Sequence, residues 1–282
     1  SSPGRGCTGE GLSRTTVPAS RAARAASTTA GSGISSCRRR TSASAIAERV
    51  CGRSKASGLL CAPDLNYGAS GEHEGFAGTI SIGHEALRVL LVEYGRSACR
   101  WAARVVFVNG HGGNTRTLIE AVTRLRYEGR DVAWFPCAFD GADAHAGFTE
   151  TSVLLHVSPS VVDPDRAVAG NREPVGALMG AMRSGGVAAV SPNGVLGDPE
   201  GASAETGAGL VDGVTDRLWA ALESWQIDDL GRLAREVGAD DDLHIRQVRQ
   251  GVDRRAANRK QAGGQQSERG HKDEKTSLDR GA

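Results

Sequence analysis

Val105-Val106-Phe107-Val108-Asn109-Gly110-His111-Gly112-Gly113-Asn114 decides how this chain folds. The apolar, β-branched run stops at a histidine set among glycines, and a helical pattern begins at once. An apolar residue at nearly every position suits a parallel strand covered on both faces. Such a strand delivers the residues that follow it to the carboxyl edge of a sheet, where α/β proteins place their ligands.

Outward from this stretch, strand and helix patterns alternate. Leu87, Leu90, Leu91, Tyr94, Ala98 and Trp101 share one face of a helix expected over His84–Ala103. Thr115–Glu128 is the next helix, with Leu118, Ile119, Val122 and Leu125 inward. Asp131–Pro136 reads as a strand, Thr149–Val157 as a helix and Val187–Val190 as a short strand. A long amphipathic helix spans Ser203–Trp225. Upstream, Ala43, Ala45, Ile46, Ala47 and Val50 mark the last turns of a helix, and Leu59–Pro63 a short strand. This alternation predicts an α/β fold with a mainly parallel sheet, a three-layer α/β/α sandwich.

The 282 residues accommodate one such domain, at 45–226, with a tail on either side. Residues 1–44 are rich in Ser, Arg, Ala and Gly, with Glu10 their only acid and no histidine or aspartate. They show no period and are expected to be disordered. A misread frame upstream of the domain accounts for them best; a transit peptide and a basic arm are the alternatives. Residues 227–282 form a charged tail, expected to be largely disordered. The net charge of +1 gives no global field for nucleic acid or an anionic membrane. The six cysteines are scattered without CxxC spacing, which fits a reduced, cytoplasmic protein. Cys99 and Cys137 read as small buried thiols.

His111 is the strongest candidate for chemistry. Imidazole binds zinc or iron, and small neighbours leave room for an ion and its water. The Gly112-Gly113 turn could instead cradle a phosphate, although no Walker lysine follows, or His111 could merely cap the next helix. His145 and Glu150 lie five apart across a glycine. A helix start favours an ionised Glu150, and His145 suits proton transfer to a leaving amine. Capping is the plain alternative for Glu150, and a surface position for His145. Glu72-His73 sits in a glycine-rich loop with Tyr67 and Ser70, where an exposed Glu-His-Glu run is more often solvated than catalytic. His84 and His156 read as structural, and Asp198 as a turn residue in a loop able to close over a substrate.

Taken in order, Tyr67-Gly-Ala-Ser-Gly-Glu-His73 with Gly78-Thr-Ile-Ser81, Asn109–Asn114 and His145-Ala-Gly-Phe-Thr-Glu-Thr-Ser152 resemble the creatininase (creatinine amidohydrolase) family. Ser191-Pro-Asn-Gly-Val-Leu-Gly-Asp-Pro199 and Leu125-Arg-Tyr-Glu-Gly-Arg130 resemble more narrowly its mycofactocin-system branch. The likeness covers about Thr41 to Trp225. It implies a metal-dependent hydrolase of C–N amide bonds, commonly a homo-oligomer, with a two-metal centre of zinc and/or iron. In that branch the substrate is the modified mycofactocin precursor peptide, from which a C-terminal Val-Tyr-derived unit is released. The resemblance makes His111 and Glu150 metal ligands, His145 and Glu150 catalytic, and Tyr67, Ser70 and His73 substrate-pocket residues.

One departure matters. The family carries an amino-terminal Glu-x-His-Gly-x-His-Leu-Pro segment followed by an aspartate, and residues 1–44 lack it. The domain is therefore expected to lose its first strand, leaving a gap or edge in the sheet, and two metals would lack ligands. Within the enzyme class the alternative is a creatinine- or formamide-type amidohydrolase. Outside it stands a non-catalytic scaffold of the same fold. A nucleic-acid binder is disfavoured by the neutral charge.

Overall fold

The computed structural model describes residues 23–28 (backbone), 41–53 and 58–233. Four parallel strands, β1 (Ala23–Thr28), β2 (Leu60–Cys61), β3 (Arg104–Asn109) and β4 (Val132–Pro136), form one sheet in the order β2-β1-β3-β4. Period-two alternation sends β3 into two cores. Val105 and Phe107 pack with Leu87 and Leu91 of α2 (Gly83–Ala98) and with Leu118, Val122 and Leu125 of α3 (Thr115–Tyr127). Val106 and Val108 face the other way, onto α1 (Ser42–Arg53) through Ile46 and Val50. Val153 of α4 (Phe148–Val157) and Val214 and Leu218 of α6 (Ala204–Ser224) complete that side. Helices thus cover both faces, which is why every position of β3 after Arg104 is buried.

The gap expected in the sheet is filled. β1 lies between β2 and β3, with Ala23 opposite Arg104 and Thr28 opposite Asn109. The physical reason is backbone satisfaction: unpaired N–H and C=O groups in a buried slot recruit an extended segment with little regard to its side chains. Residues 42–44, placed in the leading tail by the sequence, begin α1, while the other expectations for residues 1–22 and 29–40, and those for residues beyond 233, lie outside the described residues.

Two further differences concern the region after α4. Val187–Val190 is not a strand: Val187–Ala189 make one 3₁₀ turn, and Val187 packs with Leu178 and Leu196 in a small separate core. An apolar tetrapeptide satisfies that core as well as it would a sheet. The partner Leu178 comes from a helix not singled out by sequence, α5 (Val175–Gly185). Beyond α6 the packed fold continues past 226, where Arg232 bridges to Trp134 beside β4 and Leu233 is buried. Among the described residues no helix is long and apolar enough to cross a membrane.

Candidate functional site

The strand β3 ends at Asn109, and that side chain shapes the turn after it. Its Nδ2 donates to the His111 carbonyl at 2.8 Å, and its Oδ1 accepts the His111 N–H at 3.3 Å. Gly112–Asn114 then make one 3₁₀ turn into α3. Asn114, fully buried, accepts the Ala69 N–H on Oδ1 at 3.0 Å and so ties this turn to the glycine-rich loop. In that loop the Ser70 N–H donates to Ser81 Oγ, and Gly71–His73 form a second 3₁₀ turn.

The two turns bring Glu72, His73 and His111 together, with one donor atom of each within 4.8 Å of the others. His111 Nε2 stands 2.8 Å from Glu72 Oε1, and His73 Nε2 stands 3.7 Å from the same oxygen. Although Glu72 Oε1 lies 2.8 Å away, the buried His111 Nε2 makes no aligned hydrogen bond. A buried ring nitrogen without a partner is costly unless its lone pair is used, as a metal ligand uses it. Burial, then the neighbouring His145, holds the His73 ring below the usual imidazole range and favours its neutral, ligating form. Burial would raise the Glu72 carboxyl, but the facing His111 outweighs it and keeps the carboxylate ionised. Three protein donors of this kind fit one ion. Among the described residues they do not furnish a tightly held pair.

Gly113 completes the cradle. A Cβ there would lie 2.5 Å from His111 Nε2, 2.6 Å from Glu72 Oε1 and 3.0 Å from the Ala69 carbonyl. Gly113→Ala is therefore expected to cut metal retention at least tenfold while leaving every ligand residue in place. Metal content per chain, measured after dialysis, checks this; retention equal to the parent would show that no ion sits there.

A second pair faces this group. His145 is pinned by the 191–201 loop, its N–H donating to the Leu196 carbonyl and its carbonyl accepting the Leu196 N–H at 2.8 Å. The ring lies 4.7 Å from that of His73, centroid to centroid. Ala146, next in sequence, holds a left-handed φ of +53°, uncommon for a residue with a Cβ. That turn swings the chain so that Glu150, in the first turn of α4, accepts the Ala146 N–H and stands 3.3 Å from His145 Nδ1. Gly147 is required between them, since a Cβ would overlap Asp143 Oδ2. Burial opposes a charged His145, but the hydrogen bond and charge of Glu150 prevail and raise its pKa. Burial likewise opposes the Glu150 carboxylate, and His145 overcomes it. Neighbouring imidazoles are thus biased in opposite directions, His73 neutral and His145 protonated.

Of the expected residues, His73, His111, His145 and Glu150 converge. Ser70 is buried beside them in sequence, while Tyr67 is 54% exposed. Glu150 lies outside the Glu72–His73–His111 group; its carboxylate is engaged by His145 and Ala146. The expectation of a solvated Glu72-His73 fails, because Asn114 and Ser81 draw that loop inward and leave His73 only 6% exposed. His84 and His156 lie in α2 and α4, hydrogen-bonded to Thr117 and Arg49, in keeping with structural roles. Asp198 makes a local turn, its Oδ1 accepting the Glu200 N–H, and pairs with Arg172. Sequence reasoning missed Asn109 and Asn114, which bracket the histidine. It also missed Asp143, whose Oδ1 accepts the Thr149 N–H while its buried Oδ2 makes no hydrogen bond.

Comparison with known proteins shows the family to which a chain of this fold is related. The mycofactocin precursor peptide peptidase of Mycolicibacterium smegmatis is 59% identical over 178 residues, 62% of this chain and 70% of that protein. The peptidase of the same description from Mycobacterium tuberculosis H37Rv is 54% identical over 198 residues, 68% of this chain and 79% of that one. A point-mutant creatininase of the Zn-Zn type shares the fold, with a TM-score of 0.56 at 23% identity over 73% of this chain and 92% of its own. The family model described as creatinine amidohydrolase matches residues 41–222, well over half of the sequence. The chain belongs to the creatininase family.

Proposed function

We propose that this chain hydrolyses an amide C–N bond in a modified mycofactocin precursor peptide, releasing a C-terminal Val-Tyr-derived unit. The observation that carries this reading is the convergence of two separate turns on Glu72, His73 and His111, with the His145–Glu150 pair from a third segment beside them. The likeness to the two mycobacterial peptidases supports the choice of substrate.

Glu72, His73 and His111 would hold a zinc or iron ion, which supplies carbonyl polarisation and a more acidic water. A second ion needs donors outside this trio, and Glu150, whose carboxylate faces His145, would be one of them. His145 holds the proton that the departing nitrogen requires, and Glu150 fixes the ring through Nδ1. As the C–N bond breaks, that proton passes to the nitrogen, and a proton from the attacking water restores His145. Tyr67 and Ser70, in the loop that carries Glu72, would line the peptide pocket. Assembly into a homo-oligomer belongs to the same reading, supported by Val89 and Leu90 on α2, 53% and 37% exposed in an apolar groove.

The test pairs metal content per chain with mass-spectrometric detection of peptide cleavage. Bound metal together with release of the C-terminal unit is the expected result. Cleavage of creatinine or a formamide with the peptide left intact would replace the substrate. Neither metal nor cleavage would leave a creatininase-fold binding scaffold, which the absence of histidine and aspartate from residues 1–44 favours as the second reading.

A further inference from the structure

Scattered in sequence, two cysteines meet in the fold. Cys51 sits near the end of α1, half-buried against the core that α1 shares with α6, and Cys61 is exposed at the end of β2. Their thiols share a hydrogen bond.

The contact follows from how α1 lies on this edge. Ser44 Oγ donates to Asp64 Oδ2 at 2.5 Å. Ser44 and Cys51 are two helical turns apart on one face, about 10 Å. From Asp64 back to Cys61, three residues of non-helical chain reach up to about 10 Å. Helix and segment therefore run antiparallel with matched spacing, fastened at one end by Ser44–Asp64 and at the other by the two sulfurs.

We propose that Cys51 and Cys61 form a reversible disulfide, a covalent clasp between α1 and β2 made by a mild oxidant such as hydrogen peroxide. The exposed Cys61 is the attacking sulfur: its hydrogen bond from Cys51 holds its pKa below the usual thiol value despite burial and the nearby Glu48 and Asp64 carboxylates. The same hydrogen bond, and then burial, push Cys51 up and keep it a thiol. Cys61 thiolate attacks one peroxide oxygen, forming a sulfenic acid and expelling hydroxide. Cys51 sulfur then displaces the sulfenic oxygen, which leaves as water with the Cys51 proton. Both sulfurs are oxidised by one electron each, and peroxide is reduced to two waters. Thiols already in hydrogen-bonding contact need only a small approach to reach disulfide geometry. The clasp acts close to the site, because the start of α1 abuts the His111 turn: a Cβ on Gly110 would meet Ala43 Cβ at 3.1 Å.

The experiment is titration of the full chain with peroxide, followed by alkylation, digestion and peptide mass spectrometry. A linked Cys51–Cys61 peptide, lighter by two hydrogens and restored by dithiothreitol, is expected in the parent. It should be lost in both Cys61→Ser and Cys51→Ser. Cys61 is exposed, so Cys61→Ser folds whatever Cys51→Ser does. Sulfinic acid at Cys61 with no linked peptide, or pairing of either cysteine with a different partner, would overturn the proposal.

Discussion

His111→Ala is expected to lower kcat/KM for peptide cleavage by on the order of a thousandfold, since a lost metal contribution of several kcal/mol divides at about 1.4 kcal/mol per decade. The residue lies beyond the end of β3 and belongs to neither large core, so the change takes a donor from the site without opening a cavity in the packing. Its backbone position is fixed independently, by Asn109 and by the Asn114–Ala69 bond, so Glu72 and His73 stay where they are. Those two alone make a poor site, and metal content should fall with activity. Thermal denaturation should stay close to the parent, because the loss of a buried ring nitrogen without a hydrogen bond is offset by Glu72 losing the group that faces it. Cleavage within tenfold of the parent, with metal retained, would show that the catalytic ion is held elsewhere.

The sequence makes some of this site legible and hides the rest for a physical reason. His111 announces itself because the strand before it is a local signal: the unbroken apolar run Val105–Val108, which suits a doubly covered sheet. Glu150 and His145 announce themselves through a helix start. Glu72 does not, since its loop has no period and its partner lies far along the chain. The contact depends on Asn114 accepting the Ala69 N–H, a single long-range bond that no window of sequence contains. The same limit separates Cys51 from Cys61, whose meeting is set by how α1 lies on β2. At the fold level, β3, α3, β4 and α6 follow from hydrophobic period. The strand β1 has no such pattern, and only the unpaired backbone of its neighbours places it.

His145→Ala should cost between about a hundredfold and ten-thousandfold in kcat, the usual contribution of a positioned general acid. The loss should depend on the leaving group, and that dependence separates proton donation from a structural role. Ordinary amide nitrogen must be protonated before it departs, whereas an anilide bearing an electron-withdrawing group leaves with much less help. The variant's deficit should therefore shrink by at least tenfold on the activated anilide. His145 is held through its backbone to Leu196, so the turn survives loss of the ring. Glu150→Gln is the companion change. It leaves His145 in place but removes the charge that sustains its proton against burial, and its deficit should show the same leaving-group dependence in weaker form. Equal deficits on amide and anilide in both variants would mean that the pair only shapes the pocket, and the proton would have to come from elsewhere in the site.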